Sequence, residues 1–332
     1  MIYKLFSYIF HHQLLLVLFI ISSGWLILQL RDILTAVFIS YIIMASLLPV
    51  VRFFQKKGLP NILAVLIPYV GMLIILFMLI IPLVPFVISQ VQMLLGNFPK
   101  YIDEAATTLG LGIDAKQIEK ALASELGNIG KNAFAVTTAV FGGVFSTVTI
   151  LIVGFYLLLY HGKLKQAISS FFPKKHRDDV IEVLGQVDDK LGAWLRGQLV
   201  LGIAIGLLTF IALSVLGLPF ALPLAVLAGI LEAIPTLGPT IAAVPAVIVA
   251  LTVSPSLAIL VVITYIVIQT LENNILVPKI MQRAVGLNPV VVIIGVMIGA
   301  NLMGIVGALL SIPFLSFIIV LYKSLEKKFD DK

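Results

Sequence analysis

Between Gly197 and Pro278 the sequence holds two acidic side chains, Glu232 and Glu272, and no lysine, arginine or histidine. Their surroundings are apolar enough to be membrane-embedded, and a carboxylate near the bilayer centre costs at least about 2.5–3.5 kcal/mol. Such a group faces a cavity, a partner or an ion. Desolvation favours the neutral carboxyl, so a residue of this kind can gain and lose a proton near neutral pH and couple that step to a conformational change. For Glu232 the alternative is a permanently protonated side chain that caps a broken helix.

The residue types next to Glu232 explain why the helix should break there. In "EAIPTLGP", Pro235 and Pro239 each lack a backbone donor, and Gly238 permits a tight reversal between them. Carbonyls left unpaired in hydrocarbon must line a protein-enclosed or watery site. The motif therefore reads as the tip of a re-entrant hairpin at which helix ends, free carbonyls and Glu232 bind a cation, a proton or a polar solute. A kink in one long helix is the other reading. In "QTLENNILVPK", Gln269, Glu272 and Asn273 fall within one turn and Gln269 shares a face with Asn273. These amides either coordinate a solute or serve as interhelical hydrogen-bonding glue. Asn301 in "GANLMGIVG" is the counterpart polar group of a second hairpin. Arg196 and Gln198 in "WLRGQ" sit at the inner end of a span, where Arg196 snorkels or holds a gate. With Pro278 and Gly304 they form the gating or structural set. Gly202 and Gly206 make a G-x-x-x-G for a close helix contact.

Composition dictates what must position these groups. The 332 residues are 61% hydrophobic and 11% charged, with mean hydropathy +1.15, against about 25% charged in soluble domains. This is an all-α integral membrane protein. There is no cysteine, which excludes disulfides, iron-sulfur clusters and thiolate catalysis; His11, His12, His161 and His176 have no metal-binding spacing. No cofactor and no metal are expected, and the net charge of +6 records topology rather than nucleic-acid binding.

Apolar runs long enough to span occur over Leu14–Leu30, read as a retained first helix, Ile33–Val51 and Ile62–Ser89, the last interrupted by Pro82 and Pro85. A polar stretch follows, with an amphipathic extracytoplasmic segment near 90–132 in which Asp114 caps a helix and Gln117 follows it three residues on. Hydrocarbon returns over Ala133–Tyr160. A cytoplasmic amphipathic helix is expected over 161–196, with Val180, Leu184, Val187, Leu191 and Trp194 on one face, running into a span over Gly197–Leu216. Residues 197–322 form a transport core with hairpins 219–253 and 289–322, and 323–332 a cytoplasmic tail. With both termini inside, all but five of the 22 Lys and Arg lie on the cytoplasmic side, provided that each hairpin returns to the side it entered. A shift of 66 residues superposes Pro223 on Pro289, Gly229 on Gly295, Gly238 on Gly304 and Ala242 on Ala308, which suggests an inverted repeat.

The motifs "WLRGQ", "EAIPTLGP", "ENNILVPKIM", "GLNP" and "GALLSIP" occur in the order and spacing of the autoinducer-2 exporter family, which the chain resembles over nearly its whole length. The resemblance implies an eight-helix transporter of the bacterial inner membrane and a homo-oligomer, pentameric in form. It implies Glu232, Pro235, Gly238 and Pro239 as site residues. Members are assigned to export of the quorum-sensing furanone or to sodium/proton antiport. The leading expectation is therefore a proton-coupled exporter of a small polar solute such as autoinducer-2, and the alternative a sodium(lithium)/proton antiporter. An intramembrane enzyme lacks support, because neither G-x-G-D, nor H-E-x-x-H, nor a membrane Ser with a membrane His is present. A non-transporting oligomeric scaffold needs only the two amphipathic helices.

Overall fold

A computed structural model describes residues 13–78, 81, 133–233, 237–281 and 288–330 of the chain. Pro82, Pro85, the 90–132 segment and Pro235 lie outside these residues. The described chain is helical, in the order α1 Gln13–Gln29, α2 Arg31–Lys56, α3 Asn61–Met78, α4 Ala133–Leu159, α5 His161–Ser170, a 3-10 turn Lys174–His176, and α6 Arg177–Val215. It continues with α7 Ala221–Leu231, α8 Leu237–Val253, α9 Pro255–Leu271, a π turn Glu272–Leu276, α10 Val277–Met281 and α11 Pro289–Asp330. No strand occurs among the described residues.

Five helical segments among these residues are long and apolar enough to cross a membrane, within Arg31–Lys56, Asn61–Met78, Lys174–Val215, Pro255–Met281 and Val290–Ser324. A sixth joins Ser146–Leu159 to His161–Ser170 across a 78° bend. Shorter apolar helices, Ala221–Leu231 and Gly238–Val253, complete the set. The expected stripe on the 161–196 segment is real in part: Val187, Leu191 and Trp194 are buried. The same helix then runs on without interruption to Val215.

Local chemistry accounts for the breaks. After α6 the chain turns at Gly217, whose φ of 67° suits glycine. Ser254 caps α9 by accepting from Leu257 N–H at 3.1 Å, with Pro255 at the first helical position where its missing donor has no consequence. The π turn has a cause in Pro278, which cannot donate to the carbonyl of Asn274; the ladder slips, and Val277 N–H bonds Glu272 O, five residues back.

The last helix is not one rod. Met303 (φ −140°, ψ 16°) and Gly304 (φ 62°, ψ −142°) leave helical geometry. The Ser311 hydroxyl lies 2.9 Å from the carbonyl oxygen of Gly295, 16 residues away in sequence. On a straight helix that separation would be about 24 Å. Residues 289–302 and 305–330 are thus two arms folded back on each other, and Gly299 meets the backbone of Gly307 so closely that a Cβ on either would collide.

Two buried clusters hold the helices. One joins α2, α6, α7, α8, α9 and α11 through residues such as Ile42, Leu191, Ile205, Leu224, Ala246, Val261 and Ile312. The other joins α2, α3 and α4 through Met44, Leu48, Val65, Tyr69 and Leu158. Helix α2 belongs to both, and Phe38 sets its ring edge-on to Phe314 and Phe317 of the second arm of α11. Outward faces carry large exposed apolar side chains, among them Ile203, Val215, Ile259 and Ile305, as expected of surfaces solvated by lipid.

Candidate functional site

Glu232 follows directly on the last residue of α7 and is 1% exposed; Glu272 opens the π turn after α9 and is 3% exposed. Their carboxyl groups are near neighbours. No ion pair among the described residues involves either side chain. Glu232 Oε2 is buried with no donor directed at it, while Glu272 Oε2 accepts from Gln269 Nε2 at 3.2 Å.

The break that exposes this pair to each other is held from α6. Gln198 Nε2, on a buried side chain, donates to the carbonyl oxygen of Glu232 at 2.5 Å, which satisfies an acceptor that α7 has abandoned. Gly238, in the first turn of α8, packs against the carbonyl of Leu231, where a Cβ could not fit. Pro239 is buried beside it, in a first turn that has no need of its N–H. Gly202 and Gly206 of α6 lie against Gly229 and Ala225 of α7, so the G-x-x-x-G makes the close helix contact expected of it.

The remaining expected positions scatter. Gln269 is half-buried and reaches Glu272, but Asn273 is exposed, because the wide π turn rotates it away from the face it would share with Gln269 in an α-helix. Pro278 is exposed in α10 and acts through the backbone. Asn301 is exposed and lies two residues before the reversal that Gly304 permits, so it sits at the second tip and not with the carboxyl pair. The Arg196 guanidinium neither reaches outward nor meets a carboxylate; it donates to the carbonyls of Ser46 at 3.1 Å and Ala45 at 3.4 Å, tying α6 to α2.

A third buried acid is not among those expected from the sequence. Asp188 of α6 is 1% exposed and accepts from Tyr41 Oη of α2 at 2.5 Å and from Lys165 Nζ of α5 at 2.6 Å; His161 Nε2 of α5 lies 2.8 Å from Oδ2. Burial alone would raise its carboxyl, but the bonds from His161, Lys165 and Tyr41 outweigh that and hold it below its ordinary value. The signal was in the sequence: Asp188 adjoins the apolar stripe of Val187, Leu191 and Trp194, on the face that turns inward. Among the described residues Glu232 and Glu272 have no cation, whereas Asp188 has one and more.

Comparison with known proteins agrees with an apolar helical carrier. Residues 14–327 match the family model described as AI-2E family transporter. YrrI of Bacillus subtilis, named provisionally as a transport protein, is 31% identical over 88% of this chain and 86% of its own length. YueF of the same organism, similarly named, is 26% identical over 80% of this chain and 76% of its own. The Synechocystis protein sll0063, again named for transport, is 26% identical over 79% of this chain and 70% of its own length.

Proposed function

Because the chain belongs to the AI-2E transporter family, we propose that it is a secondary transporter of the bacterial inner membrane, exporting a small polar solute such as autoinducer-2 at the expense of proton entry. The observation that carries the reading is the pair Glu232–Glu272, two neighbouring buried carboxyls with no basic partner among the described residues. Two ionised carboxylates at that separation in an apolar medium repel strongly, so the stable arrangement shares one proton between them. Losing that proton leaves two like charges that separate unless a cation enters. Since Glu232 ends α7 and Glu272 opens the π turn, separation would strain the α7–α8 break and the turn together. That is a direct route from protonation to movement of the broken helices. Gln198 and Gln269 hold the two sites in register while this happens.

The helix breaks at Glu232 and at Met303–Gly304 favour an inverted-repeat transport core over residues 197–322, with Gln198 and Glu232 in its first span-plus-hairpin unit and Gln269 and Glu272 on the span that opens the second. The assay is flux in proteoliposomes with a pH-sensitive dye inside. Glu232→Gln is expected to abolish solute-dependent proton movement while the protein still purifies and reconstitutes as wild type does. Unchanged coupled flux in that variant would reject the assignment. Proton release driven by sodium or lithium and by no neutral solute would replace export by cation antiport at the same carboxyl pair.

A further inference from the structure

Among the described residues three buried hydroxyls, those of Thr209, Tyr265 and Ser316, have no hydrogen-bond partner, and the first two stand on the helices that carry the carboxyl site. Thr209 of α6 is fully buried and Tyr265 of α9 is 6% exposed, and neither hydroxyl has a hydrogen-bond partner. Within a helix a threonine hydroxyl commonly returns to a carbonyl three or four residues earlier. Thr35, Thr264 and Thr270 do so four residues back, and Thr252 does so three back. Thr209 is turned off its own backbone. Leaving a buried hydroxyl unpaired is unfavourable, so each calls for something polar beside it.

The helix order places both on the same side of the carboxyl pair. Starting at Gln198, α6 runs away from the site, and α7 returns to it antiparallel, as the contacts of Gly202 and Gly206 with Gly229 and Ala225 require. From Leu237 α8 packs back on α7, and after the single residue Ser254 α9 packs on α8 and returns to Glu272. Thr209 lies on the buried stripe Gln198, Leu201, Ile205, Thr209, and Tyr265 on the stripe Val261, Tyr265, Ile268, Glu272. At 1.5 Å per residue, Tyr265 stands about 10 Å beyond Glu272 and Thr209 about 16 Å beyond Gln198. Both therefore rise from the carboxyl pair toward the end where α6 turns into α7 and α8 into α9.

We infer that Thr209 and Tyr265 line a hydrated passage that conducts protons between the Glu232–Glu272 pair and the α6–α7 end of the helices. The role as a proton route rests on the function proposed above; the hydration does not. A hydroxyl both donates and accepts, so each can hand a proton along a water chain without itself becoming charged. The rest of the two stripes is aliphatic and offers no other handhold.

The chain has no cysteine, so single cysteines report cleanly. Thr209→Cys in the full-length protein in proteoliposomes is expected to react with a small cationic methanethiosulfonate at least ten times faster than Met44→Cys, a position equally buried in the α2–α3–α4 cluster. Equal inertness of the two overturns the passage. Independently, Tyr265→Phe and Thr209→Val keep shape and delete the hydroxyl. Each is expected to slow proton-coupled flux at least tenfold with no loss of thermal stability. Wild-type flux with a raised melting temperature would make the hydroxyls packing defects and overturn the inference. Should wild-type protein show no coupled flux at all while Thr209→Cys still reacts, the transport reading fails and the hydrated passage stands.

Discussion

Asp188 gives the sharpest stability prediction. Replacing it by Asn keeps size and one acceptor oxygen but turns the other oxygen into a donor facing Lys165 Nζ, now 2.6 Å away, and removes the charge that Lys165 requires. Charge-assisted bonds are worth about 1.5–3 kcal/mol each, yet the three here share one carboxylate and do not add. Removing one partner from a buried ion pair costs about 3–5 kcal/mol. Lys165 and His161 keep 15% and 16% exposure, so solvent recovers part of the stranded charge, and the lower end, about 3 kcal/mol, is expected. At about 2–4 °C per kcal/mol for a large domain, the apparent melting temperature in detergent should fall by about 6–12 °C. Intrinsic fluorescence reports it, since Trp194 is buried on the same helix. The pH dependence has a definite sign. The Asp188 carboxyl is held below its ordinary value of 3.8 by the fold, so its contribution is complete above that value and disappears as pH falls through the lower folded value. The gap between wild type and Asp188→Asn should be constant at neutral pH and close in acid below about pH 4. A variant melting within 2 °C of wild type, or a gap that does not close, would refute the view that this cluster clamps α2, α5 and α6.

Two further substitutions test how the broken helix is held. Gln198→Leu strands the buried carbonyl of Glu232 and should lower stability by about 1–3 kcal/mol, read as a lowered melting temperature together with reduced flux. Gly238→Ala places a Cβ on the carbonyl of Leu231, and the tip must open at a cost of about 1–3 kcal/mol; protease sensitivity at residues 232–238 should rise, whereas Gly24→Ala, with open space around it, should change nothing.

Much of this architecture was legible because lipid simplifies the code: long apolar runs, a paired Pro and Gly, and an isolated glutamate each carry meaning in hydrocarbon that they lack in water. Thus Glu232, the break beside it, the Gly202–Gly206 contact and the reversal near Gly304 follow from residue type and spacing. What sequence spacing could not convey was contact between distant elements. Glu232 and Glu272 read as two lone acids, since only the packing of α7 and α9 on α6 brings them together. Asn273 was misplaced because an α-helical period was applied across a turn that Pro278 forces into π geometry. Asp188 hid in a charged segment whose polar residues read as solvated, although its position beside Val187 and Leu191 marked it as inward-facing.

One proton shared between Glu232 and Glu272 within the membrane is open to direct measurement. Infrared difference spectroscopy of the reconstituted protein, stepped between neutral and alkaline pH, looks at that proton directly through the carbonyl stretch of a neutral carboxylic acid. A buried protonated-carboxyl band is expected that disappears at high pH and is lost or displaced in both Glu232→Gln and Glu272→Gln. A wild-type spectrum with no such band, or one that neither substitution alters, would contradict the shared proton.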